Sequence, residues 1–251
     1  MIRYRSSNTV IRGLDKHIAV SAADRSSYKG VAFKTLFLAL VSLASAIVFA
    51  VLLLNNATTE FVYWVLPISS IFALISALVA VFFVDLTPVF GTVYCVLQGV
   101  VMGALSALIE QYFPGVALMA LLSTMGVFTI LMVCYATGII KVGNMFRSIV
   151  TSCLIGVIVF VLVASLVAMF NEAARELMYG DSIFAFVLSG ILVLLASAMI
   201  LVDLSNIDAT IKNGLHKKYE WMAAFGLIVT LIWLYLEFLR FFSIAASRSS
   251  K

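Results

Sequence analysis

Of 251 residues, 64% are hydrophobic and 11% charged, and the mean hydropathy is +1.16. A water-soluble domain would leave much of that apolar surface uncovered, so the solvent of this chain must be lipid. The net charge of +4 is spread over connections rather than gathered on one face, which argues against a nucleic-acid partner.

Runs of about 20 residues with few or no charges mark transmembrane helices. Seven occur, at approximately 35–54, 62–84, 89–109, 115–136, 148–170, 183–202 and 222–243. Strands of a membrane barrel would be about ten residues long and alternating, which these are not. The expected fold is an all-α integral membrane protein. A basic tail (1–34) would precede a seven-helix transmembrane domain (35–243) and a short C-terminal tail (244–251).

The N-terminal tail holds Arg3, Arg5, Arg12, Lys16, Arg25, Lys29 and Lys34. The fourth connection holds Lys141 and Arg147, and the sixth holds Lys212, Lys217 and Lys218. By the positive-inside rule the N-terminus is cytoplasmic. Seven crossings then put Arg248 and Lys251 outside, unless the last segment is re-entrant; its length favours full crossing. The long polar stretch before the first apolar run argues against a cleavable signal peptide. The tail is expected to lie against anionic headgroups, and the serines in RSSNTV and DRSSYKG are candidates for regulation.

Along the chain, Tyr63 and Trp64 suit the membrane interface, and Asp85 with Pro88 reads as a tight cytoplasmic turn. Gly99 and Gly103, four apart in the third segment, predict close approach of two helix backbones. Gln98 beside them is expected to face the bundle interior. A short external turn, Glu110 to Gly115, joins the third and fourth segments, and the fifth connection is acidic (Glu172, Glu176, Asp181). Cys95, Cys134 and Cys153 all fall inside apolar segments, so they read as small buried hydrophobes rather than disulfide partners.

No nucleophile–base pair, zinc spacing, phosphate loop or EF-hand is visible, so an enzyme is not expected. What remains is acid. Asp203 ends the sixth apolar run, and Asp208, His216 and Glu220 precede the seventh. Grouped at the cytoplasmic mouth, such acids would repel one another and take up protons near neutrality. Their oxygens also suit calcium, with Asp203 as the candidate ligand. The plainer alternative is a solvated loop that balances Lys212, Lys217 and Lys218. Glu237 lies about 22 Å along the last helix from Met222, where charge is costly. It shares one helical stripe with Gly226, Thr230 and Trp233, so it could line a path, or pair with Arg240 one turn on.

LVDLSNID followed by EWMAAFGLIVTLIWLYLEFLRFF closely resembles the bacterial branch of the Bax inhibitor-1 family, the transmembrane Bax inhibitor motif proteins. QGVVMGALSALIEQYFPG in the third segment fits the same branch. The resemblance implies a last helix placed centrally between two three-helix layers. It also implies a pH-sensitive calcium leak in the plasma membrane, here the bacterial cytoplasmic membrane, gated by aspartates on the sixth and seventh helices. Asp203 matches the first. For the second, aligning the LRFF ending selects Thr230, whereas aligning LYLEF selects Glu237, which lies too deep to pair with Asp203. Phe72 occupies the place of an acid found in the second helix of some relatives.

The resulting expectation is a proton-sensitive cation leak, with lipid, calcium and protons as partners and no cofactor beyond a calcium ion. Asp203 would be the gate carboxylate, Thr230 and Glu237 would line the path, and Asp208, His216 and Glu220 would tune the mouth. The rival is a non-conducting membrane regulator of stress survival or of a membrane protease, with a membrane-protein partner. A secondary transporter, built on broken helices in two matching halves, is disfavoured by the placement of the three prolines.

Overall fold

The computed structural model of the chain describes residues 24–56, 59–180 and 182–249. Arg3, Arg5, Arg12, Lys16, the RSSNTV serines, Asp181, Lys251 and the side chain of Tyr63 lie outside the described residues. Eight α-helices follow one another: α1 Tyr28–Asn56, α2 Thr59–Phe82, α3 Thr87–Tyr112, α4 Val116–Ala136, α5 Asn144–Phe170, α6 Glu172–Tyr179, α7 Ile183–Lys212 and α8 Tyr219–Ser249. All but the short α6 are long and apolar enough to cross a bilayer. The protein is an all-α, multi-pass membrane protein.

α8 is the hub. It packs against α1 and α3 on one side and against α4 and α7 on the other. α2 is added to the first group through α3, and α5 to the second through α7. Burial follows that order: 61% of the most apolar window of α8 is buried, against 6% for α5. The exposed Leu, Ile, Val and Phe side chains of α5 and α2 face what must be lipid. Phe72 is one of them, so its position points out of the bundle.

Small residues hold the first group together. A Cβ at Gly99 would stand 2.5 Å from the Ser42 carbonyl oxygen, and one at Gly103 would collide with the Ala46 carbonyl. The Ser45 hydroxyl donates to the Val96 carbonyl oxygen at 2.8 Å across the same seam. Lipid supplies no hydrophobic drive between helices, so close van der Waals fit and such hydrogen bonds must do it. The packing role expected for Gly99 and Gly103 is the one seen. Gln98 beside them is half-buried.

α7 and α8 run well past the C-terminal ends of their apolar runs. α7 continues to Lys212, ten residues beyond the run that stops at Val202, and α8 continues to Ser249. A hydropathy window ends at the first charges, whereas the α7 extension is amphipathic: Ser205 and Ile207 are buried while Asn206 and Lys212 are exposed. α8 is one uninterrupted 31-residue helix, about 46 Å long, so the last segment crosses fully rather than turning back. Its far end meets the start of α7, where Phe241 stacks on Phe186 at 4.7 Å and the Arg248 guanidinium lies over the Phe186 ring. The three cysteines are free; Cys95 is buried, but Cys153 is exposed rather than enclosed as expected.

The seam makes a testable difference between glycines. Gly103→Leu should lower stability by about 1–3 kcal/mol through overpacking, read as a fall in thermal midpoint in detergent. Gly126→Leu, at a position with open space around its Cα, should not lower it. Equal losses would remove the seam from the account.

Candidate functional site

The carboxylates expected to cluster at one mouth are separated into three environments. Asp203 is buried, 7% exposed, and accepts a hydrogen bond from the Thr230 hydroxyl at 2.6 Å. Thr230, 5% exposed, also bonds back to the Gly226 carbonyl oxygen at 3.3 Å. A Cβ at Gly226 would lie 3.9 Å from the other Asp203 oxygen. Because α7 continues to Lys212, Asp203 sits about 14 Å inside the helix end. It is therefore not at the mouth, which corrects the reading of Asp203 as the end of its span.

Asp208 and Glu220 do lie at that end, but both are engaged. Asp208 accepts from the Tyr28 hydroxyl and from Lys212 Nζ at 2.5 Å, with the Tyr135 hydroxyl nearby. Glu220 is fully buried and accepts from the Ser27 amide at 2.7 Å, the Ser27 hydroxyl at 3.2 Å and the Lys34 ammonium. Ser27 in turn caps α1, its hydroxyl accepting from the Gly30 amide at 3.0 Å. A Cβ at Gly30 would overlap the Glu220 carboxylate, so glycine is the residue that lets the two helices meet there. Glu220 thus ties the first turn of α8 to the first turn of α1. Its place in the sequence suggested a titrating group; its partners make it a structural one.

His216 is exposed and remote from Asp203. Its carbonyl oxygen accepts from the Ser26 hydroxyl at 3.0 Å, and its Nδ1 accepts from the Lys218 amide at 3.2 Å. The Ser26 amide bonds to Leu215 and the Lys217 amide to Asp24, so residues 24–27 run along the sixth connection. Lys218 Nζ reaches Asp85 at 3.0 Å and joins the second connection to the same face. That contact holds the Lys218 ammonium above its usual range, so Lys218 stays charged throughout the neutral region.

Glu237 lies seven residues beyond Thr230, about 10 Å further along α8. The Trp233 indole N–H donates to its Oε1 at 3.1 Å. Its Oε2 is buried without a hydrogen-bond partner among the described residues. The Arg240 guanidinium donates to the Met178 carbonyl oxygen at 2.5 Å and is close enough for its charge to act on Glu237. The stripe Gly226, Thr230, Trp233, Glu237 therefore carries two separate acid contacts, one shared with α7 and one internal to α8.

A cavity of about 930 Å³ lies between α1, α4, α7 and α8. Tyr28, Asp208 and Lys212 mark its end nearest the sixth connection. Leu204, Leu227 and Leu231 form its depth, and each is a direct neighbour or one turn from Asp203 or Thr230. The Thr35 hydroxyl lines it and has no hydrogen-bond partner among the described residues. Sequence reading missed this role of Tyr28, Tyr135 and Thr35, because the partners that group them lie on four distant segments. Among the described residues no three His, Cys, Asp or Glu side chains converge as a metal site. A resident calcium ion takes six to eight oxygens, and Asp203 with Thr230 supplies too few to cage one.

The family model described as Bax inhibitor 1 like matches residues 8–247. The chain belongs to this family. No curated protein matches it in sequence. Of the two residues that the resemblance offers opposite Asp203, Thr230 touches it, whereas Glu237 bonds to Trp233.

The Glu220 tie predicts a large effect from a small change. Glu220→Gln leaves Lys34 with 12% exposure and no counter-charge. It should cost about 3 kcal/mol, seen as a lower thermal midpoint in detergent. Adding Lys34→Met should recover part of the loss. An unchanged midpoint for Glu220→Gln would show that the contact contributes nothing.

Proposed function

We propose that this Bax inhibitor 1 like protein is a proton-sensitive cation leak, with calcium as the ion its carboxylates suit. The observation that carries the reading is Asp203, a carboxyl enclosed between α7 and α8 whose hydrogen-bond partner is a hydroxyl rather than a cation. An acid at that depth sheds its charge by taking a proton or by facing a passing cation. Proton and cation then compete for one group, and pH sets which wins.

The polar end of the cavity, with Tyr28, Asp208 and Lys212, lies on the same side of the bundle as the N-terminal segment and the sixth connection. Leu227 and Leu231 line the depth of the cavity, one turn before and directly after Thr230. Beyond it, Trp233 and Glu237 continue the polar stripe towards Arg240 at the other face. Calcium enters here as the conducted ion, not as a bound cofactor, and no catalytic role is assigned. The excess of Lys and Arg on the side of the N-terminal segment and the fourth and sixth connections supports reading that side as cytoplasmic, in a bacterial cell on the resemblance of its motifs.

One observation favours a second reading. Asp203 faces Thr230, so the two-acid pair that the resemblance implies is absent as a pair. A non-conducting regulator of stress survival or of a membrane protease would need no such pair, only a docking surface.

Calcium flux into liposomes holding the purified protein separates the two, measured from pH 6 to pH 8. The leak reading expects flux above empty liposomes, a pH dependence flattened by Asp203→Asn, and a rate reduced by Glu237→Gln. No flux at any pH would transfer the assignment to the regulator.

A further inference from the structure

We infer that the crevice between α1 and α4 is a binding site for an anionic phospholipid, with one acyl chain inside and the phosphate at Lys141. The crevice is the 930 Å³ cavity itself, near the top of the roughly 300–1,000 Å³ range of ligand sites. α1 and α4 each pack on α8 but not substantially on one another, which leaves a lateral gap. Its rim is apolar and open: Leu36, Met125 and Met132 are 57%, 48% and 50% exposed and line the cavity. In a seven-span protein that gap faces hydrocarbon.

Length and polarity select the occupant. From Tyr28 to Ala39 the lining runs about 16 Å along α1, and Met125 to Ala136 runs the same distance along α4. That is half of the roughly 30 Å hydrocarbon thickness, the reach of a chain in one leaflet. The walls along it are Val, Leu, Ile, Met, Phe and Ala with one hydroxyl, that of Thr35, and the charged groups stand at the end that meets the connections. An apolar body with a polar end fits an amphiphile better than a column of water.

Charge selects the headgroup. Lys141 and Lys212 stand at the polar end, against one acid, Asp208. Asp208 is taken by Lys212 and Tyr28, while Lys141 is exposed and makes no ion pair among the described residues. One uncompensated cation at the headgroup level favours a phosphate without a neutralising choline. The site does not depend on conduction, so a lipid result and a flux result stand or fall separately.

The test is native mass spectrometry of the full chain, washed free of lipid in detergent. It is then offered phosphatidylglycerol or phosphatidylcholine with identical acyl chains. Wild type should bind one phosphatidylglycerol saturably, with about a fivefold preference over phosphatidylcholine, as one surface cation provides. Lys141→Gln should abolish the preference. Ala32→Trp, on the exposed rim where a larger ring does not disturb the core, should abolish binding of both lipids. Equal binding of the two lipids by wild type, or variants that bind as wild type does, would overturn the proposal.

Discussion

A helix enclosed by protein can carry groups at membrane depth that a helix facing lipid cannot. α8 is enclosed by α1, α3, α4 and α7, and it carries Thr230, Trp233, Tyr235 and Glu237 along its length. Each finds an internal partner: Thr230 the Asp203 carboxyl, Trp233 the Glu237 carboxyl, Tyr235 the Ser106 hydroxyl at 2.6 Å. Remove the enclosure and every one of these groups would have to be desolvated into hydrocarbon alone. α5, by contrast, is largely exposed, and most of its exposed large hydrophobic side chains are aliphatic. The arrangement of the other spans follows from the need to surround one polar helix.

Three acids illustrate three ways of living near the hydrocarbon. Glu220 is neutralised by a lysine and saturated by a serine amide and hydroxyl, and it serves as a fastening. Asp208 is bridged to a lysine and a tyrosine at the rim, where water can assist. Asp203 has a hydroxyl and little else, deep between two helices. Chemical availability runs in the opposite order to the number of partners. That gradient, rather than the mere presence of carboxylates, is why the proposed leak is built on Asp203.

The seven spans were readable because apolar run length is a property of single segments. The glycine seam was readable because its spacing is a local signature with a known packing consequence. The depth of Asp203 was not, since a hydropathy window stops at the charge and cannot see that Ser205 and Ile207 continue a buried face. Nor was the role of Glu220, whose partners Ser27 and Lys34 lie some 190 residues away. The Asp203–Thr230 contact was reachable only through the resemblance, where one of two alignments set them opposite each other. Trp233 was read on the same stripe as Glu237, yet not as the partner of its carboxylate.

The seam between α1 and α3 has a mechanical side. With Gly99 and Gly103 pressed against the Ser42 and Ala46 carbonyls, the two helices meet there almost backbone to backbone. They can neither slide nor separate without losing contacts along a whole face, so they behave as one stiff strut. The Glu220 fastening then fixes that strut to the near end of α8. Any rearrangement that widens the bundle must be taken up on the other flank, where α1 and α4 stand apart and the walls are flexible methionines.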